Sequence, residues 1–204
     1  MKELQKITSR SNEKLKHARS VMRGAEPELI FIEGVRLVEE ALRSGIEIQE
    51  VFFSGGFESD QRRRTIIDEL NCPVWEISAS LADSISDTKN PQGLFAIASR
   101  PLRTISEIPK VSTLPIVVYL HEINNPSNLG AILRTAEAAG VRGMIVSQGS
   151  ADPYSPKALR GAMGSAFRLP IVAGVSLEDV KDWANASGSI LTAADIDGTI
   201  VYTD

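Results

Sequence analysis

Apolar and polar positions along this chain follow two periods, and their order predicts an α/β protein. Asn12 to Arg23 has helical spacing, and Leu29 to Ile32 is an apolar run of strand length. Gly34 opens a second helix whose apolar positions Val35, Leu37, Val38, Ala41 and Leu42 form one stripe, with Gly45 where a left-handed C-terminal cap belongs. A strand at Val51 to Ser54, a charged helix at Glu58 to Leu70, a strand at Pro73 to Ile77, a short helix at Ser80 to Ser84 and a strand at Leu94 to Ala98 complete this unit, residues 1–100. Elements that alternate in this way imply layered α/β packing.

Residues 101–115 hold three prolines with Arg100 excluded and no sustained apolar period, so they read as a linker. Residues 116–204 form a second unit. The apolar strand Ile116 to Leu120, a helix from about Asn128 to Ala139 and a strand at Met144 to Ser147 make a βαβ unit, which implies a Rossmann-like parallel sheet with ligands beyond the carboxyl ends of its strands. Helices follow at Pro156 to Met163 and Leu177 to Ala186. A strand at Ser189 to Ala193, a turn at Asp195 to Gly198 and a last short strand are expected before the chain stops at Asp204. An edge left bare in that way is something natural sheets avoid, so the expectation is a chain cut short of a closing element.

Composition adds limits. Apolar residues are 43% of the chain and charged residues 24%, enough apolar material for a real core and too balanced for a disordered chain. The longest apolar runs are strand-sized, so no membrane span is expected. A charged N-terminus without a signal-peptide pattern suggests the cytoplasm. Cys72 is the single cysteine and no histidine cluster accompanies it, so neither a disulfide nor a metal site is expected; it reads as a core residue. The net charge of −4 argues against coating nucleic acid by bulk attraction. Locally the balance reverses: Lys2, Lys6, Arg10, Lys14, Lys16, Arg19 and Arg23 face only Glu3 and Glu13. This basic arm is either a solvated helix face or a surface that tracks phosphates.

The segment His121 to Gly140, HEINNPSNLGAILRTAEAAG, divides tasks among its residues. Asn125, Pro126 and Ser127 suit a turn that caps the following helix. Leu129, Ile132, Leu133, Ala136 and Ala139 follow core spacing, Gly130 and the alanines keep the helix slim, and Arg134 falls off the stripe. By spacing alone this could be a sheet-covering helix with a surface arginine.

The stretch NPSNLGAILRTAEAAG between two strands resembles the first motif of SpoU-type methyltransferases of the SPOUT superfamily. ADPYSPKALRGAMGSAFRLPI, from Ala151 to Ile171, resembles the next block of that family in the same order. ITSRSNEKLKHAR, FIEGVRLVEEAL and TKNPQGLFAIA resemble its N-terminal RNA-binding domain. The resemblance implies a trefoil-knotted catalytic domain, usually a homodimer, that transfers a methyl group from S-adenosylmethionine to a ribose 2′-hydroxyl of ribosomal or transfer RNA. It places the family's asparagine and arginine on Asn128 and Arg134, and its loop on Glu122 and Asn125. His121 and Asn125 stand where aspartates are commoner, and the later glycine-rich GxE loop and IPM…SLN block are not in this sequence. On that basis the cofactor site is expected to lie mainly beyond Asp204, and the chain as it stands to be inactive.

Methyl transfer from a sulfonium to a hydroxyl is an in-line displacement. Arg134, as a guanidinium, is an awkward general base and suits holding a phosphate and stabilising alkoxide charge better than removing a proton, and Asn128 would fix the geometry. Lys157, Arg160 and Arg168 are further candidates for RNA phosphates, with a solvated helix face as the alternative. Tyr154 and Phe167 could stack on bases but suit packing better, and His17 and His121 read as structural. Two other classes compete. The chain could be a non-catalytic RNA-binding module; a dinucleotide oxidoreductase is disfavoured by the absence of GxGxxG after a strand.

Overall fold

The structure, a computed structural model, describes residues 5–55, 61–108, 116–194 and 197–198. Its first sheet has five strands, β1 (Gln5–Ile7), β2 (Leu29–Glu33), β3 (Ile48–Ser54), β4 (Val74–Ile77) and β5 (Leu94–Ser99), in the spatial order β1-β4-β3-β5-β2. β4 runs parallel to β1 and β3, whereas β5 is antiparallel to β2 and β3. Four helices accompany it: α1 (Glu13–Met22), α2 (Val35–Arg43), α3 (Gln61–Glu69) and α4 (Ala79–Asp83).

Alternation along the strands sorts the side chains between two faces. Phe31, Phe52 and Phe95 point to the side where Leu15 and Ala18 of α1 and Leu81 of α4 pack. Their neighbours Ile30, Ile32, Val51 and Leu94 point to the side of Leu37 and Val38 of α2 and Ile66 of α3. Each such fully buried side chain contributes about 1.5–3 kcal/mol, so both faces are needed. Local caps set the helix ends. Asn12 Oδ1 accepts from the Lys14 amide at 2.9 Å, and Gln92 Oε1 accepts from the Val35 amide at 3.1 Å at the start of α2.

The second sheet is parallel, with β6 (Val117–Leu120), β7 (Gly143–Ser147) and β8 (Ile171–Val175) in that order. Leu120, Met144, Val146 and Ile171 pack on α5 (Pro126–Ala138), α6 (Pro156–Ala162) and α7 (Ser165–Arg168). Ile145 and Val172 face Val180 of α8 (Leu177–Ser187) and Ile108. Ile108 belongs to the expected linker. A short 3-10 turn at Ile105–Glu107, held by a Thr104–Glu107 capping box, carries it under the sheet, so residues 104–108 are packed structure. The core on the α2 side of the first sheet continues unbroken to Leu129, Leu133 and Leu159 of the second unit, and α6 packs against β2.

Three expectations change. Ser189 to Ala193 forms no strand: α8 ends at Gly188 with the Ser189 amide donating to the Ala184 carbonyl, and Ile190 is 92% exposed. An apolar run becomes a strand only where a neighbour completes its hydrogen bonds, and no described strand lies beside this one. Ala139, placed on the core stripe, is the exposed C-cap of α5. β1 and β8 are additional strands. The last short strand and the start of the Asp195 turn lie outside the described residues, as does 56–60 at the start of the expected Glu58 to Leu70 helix.

Candidate active site

The carboxyl ends of β6 and β7 lie side by side, and the loops that leave them are tied together. The Glu122 amide donates to Ser147 Oγ at 2.9 Å and the Ile123 amide to Ser150 Oγ at 3.1 Å, while the Ala151 amide donates to the Ile123 carbonyl at 2.9 Å. The two hydroxyls are 3.0 Å apart, and Ser147 is buried. These bonds hold Glu122 at φ 51°, a left-handed conformation that costs a non-glycine residue about 1–3 kcal/mol. Sequence reasoning missed both serines; the signal available was a polar residue ending an otherwise apolar strand.

Asn125 then caps α5, its Oδ1 accepting from the amides of Ser127 at 2.9 Å and Asn128 at 3.4 Å. The asparagine thus performs the capping that an aspartate would, without its charge. Asn128 is exposed in the first turn. Arg134 is exposed six residues later, about 9 Å along the axis, and makes no hydrogen bond or ion pair with any described residue. The two share a helix without touching. His121 is exposed, its Nδ1 3.4 Å from the Tyr119 hydroxyl.

α5 is locked from behind. Leu129, Gly130 and Leu133 are buried, and Glu137 accepts from Ser165 Oγ at 2.6 Å and from Arg168 Nη2 at 2.8 Å. The Arg168 guanidinium holds the Glu137 carboxyl below its ordinary pKa, and Glu137 in turn raises that of Arg168. On its other flank, Ala131, Ile132, Thr135, Ala136 and Ala139 line an open apolar groove of about 370 Å³ with Val118 and Val141.

The other candidates divide. Lys14 pairs with Glu50 at 2.7 Å and lies over the Trp75 ring, Lys16 pairs with Glu13 at 2.7 Å, and Arg19 donates to the Arg10 carbonyl at 2.9 Å. Lys16 is exposed, whereas Lys14 and Arg19 are half-buried, Lys14 reaching toward the sheet and Arg19 also lying 3.4 Å from Ser84 Oγ. Lys157 is exposed with no polar partner among the described residues. Arg160 and Arg168 are instead occupied by carboxylates of the first unit, Asp87 and Glu40. Tyr154 and Phe167 are buried, and burial pushes the Tyr154 hydroxyl up to about 12. Among the described residues no group of three or more His, Cys, Asp or Glu side chains could hold a metal ion, and no helix is long and apolar enough to cross a membrane.

Both halves of this arrangement match known families in tandem. Residues 115–204 match the SpoU rRNA Methylase family, and residues 4–96 match the MRM3-like substrate binding domain. A solved RNA 2′-O ribose methyltransferase is 31% identical, with a TM-score of 0.71 over 90% of this chain and 70% of that one. The chain belongs to the SpoU rRNA methylase family. Another solved member, the SpoU methyltransferase AviRb from Streptomyces viridochromogenes in complex with AdoMet, is 25% identical, with a TM-score of 0.78 over 86% of this chain and 68% of that one. Among curated members, mitochondrial rRNA methyltransferase 3 of Xenopus laevis is 33% identical over 175 residues, 80% of this chain and 39% of the relative. The Bacillus subtilis 23S rRNA (guanosine(2553)-2′-O)-methyltransferase RlmP is 30% identical over 172 residues, 83% of this chain and 65% of the relative. The chain therefore spans between about two fifths and two thirds of these curated SpoU relatives.

Proposed function

We propose that this SpoU protein transfers the methyl group of S-adenosylmethionine to a ribose 2′-hydroxyl of ribosomal RNA. The observation that carries the reading is Arg134: a guanidinium without a polar partner among the described residues, on a helix that starts at the carboxyl end of a parallel sheet, in a family with curated relatives named as rRNA 2′-O-methyltransferases. S-adenosylmethionine supplies an electrophilic methyl group on a positively charged sulfur. The Ser147 and Ser150 hydroxyls tie the two loops together, and Glu122, exposed and acidic, is the residue there that suits such a cation. The loop from His121 to Asn125 and the turn from Ser147 to Asp152 would hold it.

In the reaction the carbon–sulfur bond breaks as the bond from the ribose oxygen to the methyl carbon forms, and the hydroxyl proton leaves to an RNA phosphate or water. The planar donors of Arg134 hold the phosphate beside the acceptor and stabilise negative charge growing on the oxygen. Asn128, about one and two-thirds turns earlier on the same helix, orients the substrate. Lys14, Lys16 and Arg19 on α1, with Lys157, contact RNA phosphates. Arg160 and Arg168, whose guanidiniums face acids, are assigned elsewhere.

The active form in this proposal is a homodimer. An open apolar groove beside α5, next to Ile116 at 61% exposed, is the kind of surface that a second copy covers. Sedimentation of the intact protein tests that, and a monomer at all concentrations would overturn it. Calorimetric titration with S-adenosylmethionine and transfer of labelled methyl to rRNA test the activity. RNA binding with neither cofactor binding nor transfer would favour an RNA-binding module instead.

A further inference from the structure

Three arginines cross the seam between the two sheets, each from a different element. Arg160 of α6 donates to Asp87 at 2.7 Å and lies 3.6 Å from Glu33 at the end of β2. Arg168 of α7 reaches Glu40 of α2 while also holding Glu137 on its own side. Arg100, just past β5, forms a two-pronged pair with Asp152 at 2.9 and 2.6 Å and lies over the Tyr154 ring at 5.0 Å.

The acid side of the seam is built to receive them. The Glu33 carboxylate is 4% exposed and accepts from Ser86 Oγ and Thr88 Oγ1, both at 2.6 Å, and from the Asp87 amide at 3.2 Å. Those bonds fix the loop that presents Asp87. Close approach is built in as well: at Gly164, where φ is +97°, a Cβ would stand 3.0 Å from Glu40 Cβ and from Arg168 Nη1. One ion pair between two bodies leaves them free to pivot about it. Three pairs on separate elements, around a continuous apolar core, remove that freedom.

The lock also leads to α5. Arg168 and Ser165 hold Glu137 of that helix, and α6 lies against its Gly130 face. We infer that Arg160 and Arg168 are positioning residues that set the angle between the five-stranded unit and the helix carrying Arg134, so that RNA held by the first unit meets the methyl-transfer site. The structural half stands on the contacts alone; the catalytic half rests on the function proposed above.

The test removes the acids of the first unit rather than the arginines. Asp87→Asn with Glu40→Gln keeps side-chain shape and leaves the apolar core untouched. Nitroxide labels at Arg23→Cys and Lys181→Cys, both exposed, in a Cys72→Ala background report the inter-unit distance by double electron–electron resonance. The parent is expected to give one narrow distribution and the double variant a broadened one at unchanged helical content. Arg160→Lys with Arg168→Lys, which keeps the charge, should broaden it less. In methyl transfer the acid variant should lose about tenfold or more in kcat with RNA affinity within about twofold. An unbroadened distribution overturns the lock. Broadening without loss of kcat overturns the positioning role. If the parent transfers no methyl group, the functional reading fails visibly and the distance measurement still decides the lock.

Discussion

Gly130 and Gly161 face each other where α5 meets α6, at a separation that admits no side chain. A Cβ on Gly130 would stand 2.3 Å from the Ala158 carbonyl oxygen and 2.9 Å from the Gly161 Cα; one on Gly161 would stand 3.1 Å from the Ser127 carbonyl oxygen. Both obstacles are backbone, so the helices must separate to relieve the contact. Gly130→Ala is therefore expected to destabilise the protein by about 1–3 kcal/mol or more, against a small helix-propensity gain. Thermal denaturation should show a lower Tm, by about 2–4 °C per kcal/mol in a protein of this size. An unchanged Tm would mean that the helices are not so closely packed.

Arg134 lies outside this packing and should behave in the opposite way. Arg134→Ala should change stability by less than about 0.5 kcal/mol, as expected of an exposed residue without a polar partner among the described residues. Methyl transfer should fall by about 10²–10³ with S-adenosylmethionine affinity nearly unchanged, and Arg134→Lys should not restore it, because a point charge lacks the planar fork. Single-turnover kinetics beside cofactor titration separate the two effects. Weakened cofactor binding at an unchanged rate would contradict the role assigned.

On α1, the triple change of Lys14, Lys16 and Arg19 to alanine should weaken RNA binding and reduce the salt slope by about two, from loss of three phosphate contacts. Lys14 has a second task. Its partner Glu50 has a side chain only 11% exposed, so Lys14→Ala alone should also lower stability, whereas Lys16→Ala should not. Equal melting temperatures for the two single variants would refute that difference.

Acid titration should report Glu137. Its pKa is lowered in the fold, chiefly by the hydrogen bond from Arg168, so its contribution is present above the ordinary carboxylate range and lost as pH falls through the folded value. Glu137→Gln should lower stability by a constant amount at neutral and alkaline pH and flatten the acid limb, so that the two profiles converge at low pH. A parallel acid limb in the variant would show that other carboxylates govern it.

Much of this was legible in the residues. Asn12 and Asn125 announced helix starts that the structure keeps, because each side chain acts on amides two or three positions away; the start at Gly34 is kept too, but its capping group comes from Gln92, distant in sequence. The strand, loop and helix around Arg134 followed from periodicity, since a buried parallel strand and a half-buried helix have different repeats. β1 was hidden because Gln5 and Lys6 are exposed and its pairing with β4 is decided some seventy residues away. Arg160 and Arg168 show a different limit. A cation's sequence position does not say whether its partner is a phosphate or a carboxylate, and theirs are Asp87 and Glu40, 73 and 128 residues distant. Ser189 to Ala193 failed for the converse reason, an apolar run without a neighbouring strand among the described residues.

The atom that receives the methyl group decides between ribose and base methylation. Intact protein incubated with rRNA and S-adenosylmethionine carrying an isotopically labelled methyl, followed by digestion to nucleosides and mass analysis, locates it directly. Label is expected on a ribose 2′-oxygen in the parent, with near-complete loss in Arg134→Ala. Label on a base, or no transfer to an RNA that the protein demonstrably binds, would contradict ribose 2′-O-methylation.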